Sequence, residues 1–284
     1  MKWYKKYLQV FEKPFSSASQ KTIEEVKYKL SLLQSDKPIA SVVIIAYNEE
    51  TRLLSCLWSL SDSTCKYPIE IIGVDNNSKD KTAKVYKAVG LPHYEEKKQG
   101  PGYARNRGLQ EAKGKYYICI DSDTMYPSDY IQRVIEELEK PGVVATSATW
   151  SYVPSSSYPR IWMRPYEIVR DINLYFLSFK SPEWVVRGMV FSHDAELGRK
   201  IGYNVKIIRG EDGSMAFGLK EYGKISFLRG KQTRAVTCTA TLESDGPLAK
   251  AFYIRVKGAL KKIKKYFISN KEKPQDSPDN LIKN

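Results

Sequence analysis

The chain has 284 residues, 42% of them hydrophobic, which is typical of a globular protein and excludes a largely disordered one. Its net charge of +14 is concentrated at the two ends: residues 1–38 carry +4 and residues 248–284 carry +7, which leaves +3 for residues 39–247. Proteins that bind nucleic acid usually carry such an excess on the folded core, so we expect no nucleic-acid partner.

Two classes of segment are missing from the sequence. No apolar run approaches the roughly 20 residues that a membrane-spanning helix needs, and the first residues lack the apolar centre of a signal peptide. We therefore expect a cytoplasmic protein. The four cysteines have no CxxC spacing, which favours reduced structural thiols over a zinc site or disulfides.

Residues 1–38 form a basic, aromatic arm followed by a predicted helix, and residues 39–150 then alternate short apolar runs with segments of helical periodicity. This alternation predicts βαβ units, and hence an α/β fold with a Rossmann-like, mainly parallel sheet flanked by helices. The predicted strands are 41–46, 69–74, 92–95, 115–120 and 142–150, and the predicted helices are 49–60, 79–88, 101–112 and 127–139.

After Trp150 the alternation ends, and residues 151–247 are typical of a smaller, mixed region. A stretch rich in Tyr, Ser and Pro precedes a predicted helix at about 160–177, and long irregular insertions of this kind are usually functional or mobile. Apolar runs predict further strands at 184–191, 225–228 and 235–237, with a helix from Gly210 to about Gly223 between them.

Polar and acidic residues directly follow three of the predicted strands. The carboxyl ends of parallel strands border the crevice in which open α/β sheets bind ligands. The third of these polar segments contains Asp121 and Asp123, two carboxylates suited to a hard divalent cation and the phosphates it carries. Such a pair alone is also typical of a turn or a helix cap. The three sites are Ala46-Tyr47-Asn48-Glu49, Val74-Asp75-Asn76-Asn77 and Ile120-Asp121-Ser122-Asp123.

Two further motifs complete the set: Ala104-Arg105-Asn106-Arg107 after a Gly-Pro-Gly turn, and Glu211-Asp212 after Gly210. In this order and spacing the motifs resemble those of the family 2 glycosyltransferases, which have the GT-A fold. The resemblance covers about residues 40–230. It implies an inverting enzyme that moves a sugar from a UDP- or GDP-linked donor to a hydroxyl of a glycan or lipid-linked acceptor, with Mn²⁺ or Mg²⁺ as cofactor.

The resemblance also implies a donor site in residues 39–150. Asp121 would face the nucleotide, and Asp121 and Asp123 would ligate the metal that bridges its diphosphate. Asp75 has a second interpretation as part of an Asx turn, and Arg105 has one as a brace that holds the sheet through a carboxylate. The implied donor-binding residues are Ala46, Tyr47, Glu49, Asp75, Arg105 and Asp121.

On the acceptor side, residues 151–247, the resemblance implies that Asp212 is the general base. An acceptor hydroxyl is a weak nucleophile at neutral pH, so a carboxylate must take its proton during attack on the anomeric carbon. An acid at this position is also typical of a helix N-terminus, where it favours the helix dipole.

Residues 248–270 predict a basic amphipathic helix, and residues 271–284 predict a disordered tail. The helix would either lie on the anionic cytosolic face of a membrane or pack on the protein itself. Two other functions stay open. A polyprenyl-phosphate glycosyl synthase would need Asp212 less, because its acceptor is already ionised, and a non-catalytic basic binding protein could keep the same fold.

Overall fold

The computed structural model describes residues 2–244, so the predictions for 248–270 and 271–284 lie outside the described residues. Two sheets form the frame. Their strands are β1 (Ala40–Ala46), β2 (Ile69–Asp75), β3 (His93–Glu95), β4 (Tyr116–Asp121), β5 (Thr124–Met125), β6 (Val143–Ala148), β7 (Trp150–Tyr152), β8 (Phe191–Asp194), β9 (Lys224–Leu228) and β10 (Ala235–Thr237).

The larger sheet has seven strands in the order β3-β2-β1-β4-β8-β6-β9. Its first four strands are parallel, β8 is antiparallel to both of its neighbours, and β9 is parallel to β6. The smaller sheet has the order β5-β10-β7. The predicted α/β class with a mainly parallel sheet is thereby confirmed.

Helices cover both faces of the larger sheet, because its central strands are apolar on both faces. Val42 and Ile44 point into one hydrophobic cluster and Val43 into the other, as the alternation of side chains along a strand requires. The helices are α1 (Gln20–Leu33), α2 (Leu53–Ser61), α3 (Thr82–Ala88), α4 (Pro101–Glu111), α5 (Tyr130–Leu138), α6 (Arg160–Lys180), α7 (Ala195–Ile201), α8 (Glu211–Leu219) and α9 (Ala240–Glu243).

The segment 184–191, which the sequence predicts as strand, is the main error of the secondary-structure prediction. It starts at the end of one short 3₁₀ helix, Pro182–Trp184, and contains a second, Gly188–Val190, while β8 begins only at Phe191. The backbone at Gly188 lies directly against the buried Arg105 side chain, since a Cβ at this position would collide with the guanidinium group. The predicted strand 142–150 is also divided, into β6 and β7.

The N-terminal segment folds against α2. Residues Trp3–Gln9 form a 3₁₀ helix whose Tyr4 and Tyr7 are buried, and the Tyr7 hydroxyl donates a hydrogen bond to Asp62 at 2.7 Å. Among residues 2–244, no helix combines the length and the hydropathy that crossing a membrane would take.

Candidate active site

A cavity of about 720 Å³ opens where β1 and β4 end. Residues that are far apart in the chain meet there, because the carboxyl ends of parallel strands lie at one edge of the sheet. Seven of the eight residues predicted for the site line this cavity, and Asp75 is the exception. The seven are Ala46, Tyr47, Glu49, Arg105, Asp121, Asp123 and Asp212.

Asp75 serves the backbone instead. Its carboxylate accepts the N–H of Ser78, three residues further on, at 3.1 Å, so it makes a local bond to the backbone, and the next residue, Asn76, lines the cavity. The Asn76 amide donates to the carbonyl of Lys98 at 2.7 Å and accepts the N–H of Gly100 at 2.9 Å, so it shapes the loop before α4. Asn76 is not among the predicted site residues, although its position directly after β2 was a signal.

Three acids, Glu49, Asp121 and Asp123, crowd one side of the cavity. Glu49 forms an ion pair with Arg52 at 3.2 Å, yet burial and the nearby charge of Asp123 raise its pKa to about 8. Burial also raises the pKa of Asp121 to about 6, against the opposing effect of Arg105. This side of the cavity therefore favours a cation.

Asp123 is held in place by its neighbour Thr124 and by two residues from the second half of the chain. Its carboxylate accepts a hydrogen bond from the Thr124 hydroxyl at 2.9 Å and one from the Cys238 thiol at 3.0 Å, while the Thr237 hydroxyl lies 3.4 Å away. These contacts fix the orientation of the carboxylate and leave further lone pairs for a ligand. Thr237 and Cys238 follow Asp123 by more than 110 residues, so no local pattern in the sequence could reveal them.

The carboxylates fit a metal that arrives with its substrate. Within residues 2–244, no three His, Cys, Asp or Glu side chains gather closely enough to hold a metal ion unaided. Asp121 and Asp123 supply two carboxylates, and Mg²⁺ is commonly bound by one or two carboxylates together with substrate phosphates. Asp121 and Asp123 would therefore suit a divalent cation that is held together with substrate phosphates.

Arg105 joins the two sides of the cavity. Its guanidinium group is buried; Nη2 donates to Asp121 at 2.8 Å, and Nε lies 2.9 Å from Asp212 Oδ1 and 3.8 Å from Glu211. The contact with Asp212 is an ion pair rather than an aligned hydrogen bond, since neither atom has a hydrogen-bond partner among the described residues. Of the two interpretations of Arg105, these contacts support the brace.

Glu211 and Asp212 begin α8, directly after Gly210, whose φ of +97° is accessible mainly to glycine. Burial and the adjacent charge of Asp212 raise the pKa of Glu211 to about 8, so Glu211 is mainly protonated at neutral pH. No side-chain hydrogen bond caps α8, and Asp212 Oδ1 is buried without a hydrogen-bond partner among the described residues. The geometry therefore leaves Asp212 able to accept a proton at the cavity.

The family model described as Glycosyl transferase family 2 matches residues 41–199, which is more than half of the chain. The chain belongs to this family. The uncharacterized glycosyltransferase YfnE of Bacillus subtilis is 31% identical to it over 127 residues. That match covers 43% of this chain, which spans about a third of YfnE, 32% of its length.

Solved structures share the fold. TarS of S. aureus, in complex with UDP-GlcNAc, aligns with a TM-score of 0.56 at 17% identity, over 70% of this chain and 58% of the TarS chain. The mannosyltransferase PcManGT of Pyrobaculum calidifontis, in complex with GDP-Man and Mn²⁺, aligns with a TM-score of 0.55 at 17% identity, over 90% and 71% of the two chains. The predicted GT-A fold of this family 2 member is thereby confirmed.

Proposed function

We propose that this family 2 protein is an inverting, metal-dependent glycosyltransferase that moves a sugar from a nucleoside diphosphate sugar to a hydroxyl of a glycan or lipid-linked acceptor. One observation carries the proposal: a single cavity has Asp121 and Asp123 on one side and Asp212 on the other, with Arg105 between them. The complexes of TarS with UDP-GlcNAc and of PcManGT with GDP-Man and Mn²⁺ are consistent with a donor of this class.

The donor side holds the nucleotide. Ala46 and Tyr47 line the cavity just where β1 ends, and the 46% exposed side chain of Tyr47 can contact the base. Asn76 also lines the cavity here, and its amide holds the loop before α4 in place. Asp121 and Asp123 would hold Mn²⁺ or Mg²⁺, and the bound metal would stabilise the negative charge that develops on the leaving diphosphate.

The acceptor side supplies the base. Asp212 takes the proton of the acceptor hydroxyl while the oxygen attacks the anomeric carbon opposite the leaving diphosphate, which inverts its configuration. Arg105 orients Asp212 through the contact of its Nε with Asp212 Oδ1 at 2.9 Å. A base so placed favours a hydroxyl acceptor over a polyprenyl phosphate, which brings its own charge.

The test screens the full chain against UDP- and GDP-sugars with and without Mn²⁺, by thermal shift and by release of nucleoside diphosphate. A donor at about 100 times its Kd should stabilise the protein by about 2.7 kcal/mol, and only with metal. Asp123→Asn should abolish this shift. Asp129→Asn is the matched control, because Asp129 accepts the Thr64 hydroxyl at 2.9 Å and is not one of the residues that line the cavity. A metal-independent shift, or an equal shift in Asp123→Asn, would contradict the proposal.

A further inference from the structure

The helix α6 turns an apolar face outward. Its buried side packs on the protein through residues such as Met163, Leu174 and Leu177. Eight of the thirteen large hydrophobic side chains that are exposed in residues 2–244 belong to this one helix. They are Ile161, Trp162, Ile168, Val169, Ile172, Tyr175, Phe176 and Phe179, with exposures from 47% to 73%.

These eight residues, here called the outer face of α6, form one continuous surface. Ile161, Ile168, Ile172 and Phe179 follow each other by seven, four and seven positions, which places them on one side of a helix. At 1.5 Å per residue the surface extends for about 27 Å. Soluble monomers rarely expose an apolar surface of this extent, so the outer face is expected to contact a partner or a membrane.

The charges of α6 add a positive rim and no exposed acid. Glu167 is buried, where it accepts the N–H of Tyr152 at 2.9 Å, and Asp171 is paired with Arg170 at 2.8 Å and with Arg234 at 2.6 Å. The exposed charged residues of the helix are Arg164 and Lys180. An apolar surface with aromatic side chains and a basic border has the composition of a membrane-interface helix.

We propose that the outer face of α6 binds the surface of a bilayer that contains anionic phospholipids. The apolar side chains would enter the boundary between head groups and acyl chains, and Arg164 and Lys180 would contact the lipid phosphates. This inference does not depend on the proposed function, because it rests on the helix and its charges alone.

A second copy of the chain fits this surface less well. Two-fold antiparallel pairing of α6 about Ile172 would place Arg164 beside Lys180 of the second copy, at both ends of the interface. These like charges would repel each other. Anionic lipid neutralises both residues.

More positive charge lies at the start of α6. Arg160 lies 3.4 Å from the hydroxyl of Tyr4, in the N-terminal segment that exposes Lys2 and Lys5. The end of the described chain is also there, since Tyr158 donates a hydrogen bond to the carbonyl of Leu242 at 3.0 Å. The sequence that follows, residues 248–284, carries a net charge of +7.

This orientation would bring the cavity close to the bilayer. The inner side of α6 contacts β7 through Glu167, and β7 pairs with β10. From β10, Thr237 reaches the carboxylate of Asp123. One three-stranded sheet therefore connects the outer face of α6 with the acids of the cavity, which suits an acceptor carried by lipid.

The experiment measures binding of the full chain to vesicles by flotation, with phosphatidylcholine alone and with added phosphatidylglycerol. The variant is Ile172→Glu/Phe176→Glu, and its matched control is Tyr28→Glu/Leu32→Glu, a pair on α1 that is also exposed and four residues apart. The α6 variant should lose roughly tenfold or more in partition to anionic vesicles. The control should stay within about twofold of the wild type, and Arg164→Glu/Lys180→Glu should remove the preference for anionic lipid.

Three outcomes would overturn the proposal. The first is equal vesicle binding by the α6 variant and the wild type. The second is unchanged vesicle binding while light scattering shows a wild-type dimer that the α6 variant cannot form, which would assign the face to a second copy. The third is a lower melting temperature of the lipid-free α6 variant but not of the control, which would show that the chain itself covers this face.

Discussion

The two halves of the molecule place their site residues in different ways. In residues 39–150, the acids follow strands of the parallel sheet, so backbone geometry brings Glu49, Asp121 and Asp123 together. In residues 151–244, side chains reach the site through long-range pairs such as Cys238 with Asp123 and Asp212 with Arg105. The site is thus organised by secondary structure in residues 39–150, whereas residues 151–244 join it through contacts with that first half.

The largest expected effect tests whether the acceptor side supplies chemistry. Asp212→Asn keeps the shape of the side chain but removes its capacity to take a proton, so kcat should fall by about 10² to 10⁴. The dissociation constant of the donor should change by less than about threefold, because Asp121 and Asp123 are intact. Steady-state kinetics and calorimetric titration of the donor would measure the two quantities.

Glu211→Gln is the matched control for that variant. Glu211 is mainly protonated at neutral pH, since burial and the charge of Asp212 raise its pKa to about 8. A glutamine should therefore replace it with a loss of less than about tenfold in kcat, because no proton transfer is removed. Equal losses in both variants would assign the two residues a shared structural role instead.

The sequence was sufficient for the fold of residues 39–150 and less so for residues 151–244. The order of strands and helices, and the acids after β1 and β4, follow from local periodicity and motif. The strand predicted over 184–191 was wrong: Gly188–Val190 forms a 3₁₀ helix, and the backbone at Gly188 packs against Arg105, a residue more than 80 positions away that no local pattern could indicate. The exposed side of α6 could not be predicted either. The spacing of its apolar residues predicts a helix but does not show which side of that helix the rest of the protein covers.

The second prediction concerns Arg105, whose guanidinium group contacts Asp121 in the first half of the chain and Asp212 in the second. Arg105→Met should lower the free energy of unfolding by about 3–5 kcal/mol, because it leaves Asp121, Glu211 and Asp212 near each other without their buried cation. Arg107→Met, two residues further along α4, removes an ion pair with Glu111 that is about one-third exposed and should cost at most about 1 kcal/mol. Urea denaturation of both variants measures the difference. Equal stabilities would show that Arg105 does not join the halves.

The third prediction uses pH to probe β8, the strand of the second half that pairs with β4. His193 is buried with Nε2 2.9 Å from the Tyr203 hydroxyl, and burial lowers its pKa from 6.5 to about 4. Between these values the unfolded state binds the proton and the folded state does not. The contribution of His193 to the free energy of unfolding is therefore fully present above pH 6.5. It decreases as the pH falls toward 4, by about 3 kcal/mol in total.

The His193→Gln variant should lack this loss on the acid side. Other groups titrate in the same range, so the informative quantity is the difference in unfolding free energy between wild type and variant. That difference should shrink by about 3 kcal/mol from pH 7 to pH 4, as measured by urea denaturation at intervals of pH. A constant difference would mean that His193 binds its proton equally in both states.

The smallest expected effect tests the close contact of the backbone at Gly188 with Arg105 and Asp212. A methyl group at Gly188 would collide with Arg105 Nη2 and Asp212 Oδ2, so Gly188→Ala must displace the ion pair and should cost about 1–3 kcal/mol. Gly213→Ala is the matched control, because nothing lies within 4 Å of its added methyl group and alanine favours the helix α8. Gly188→Ala should also lower kcat, since the carboxylate of Asp212 moves, while the control should keep kcat and gain up to about 1 kcal/mol. If Gly188→Ala retained both stability and kcat, the close contact of Arg105, Asp212 and the backbone at residue 188 would not be what aligns the two sides of the cavity.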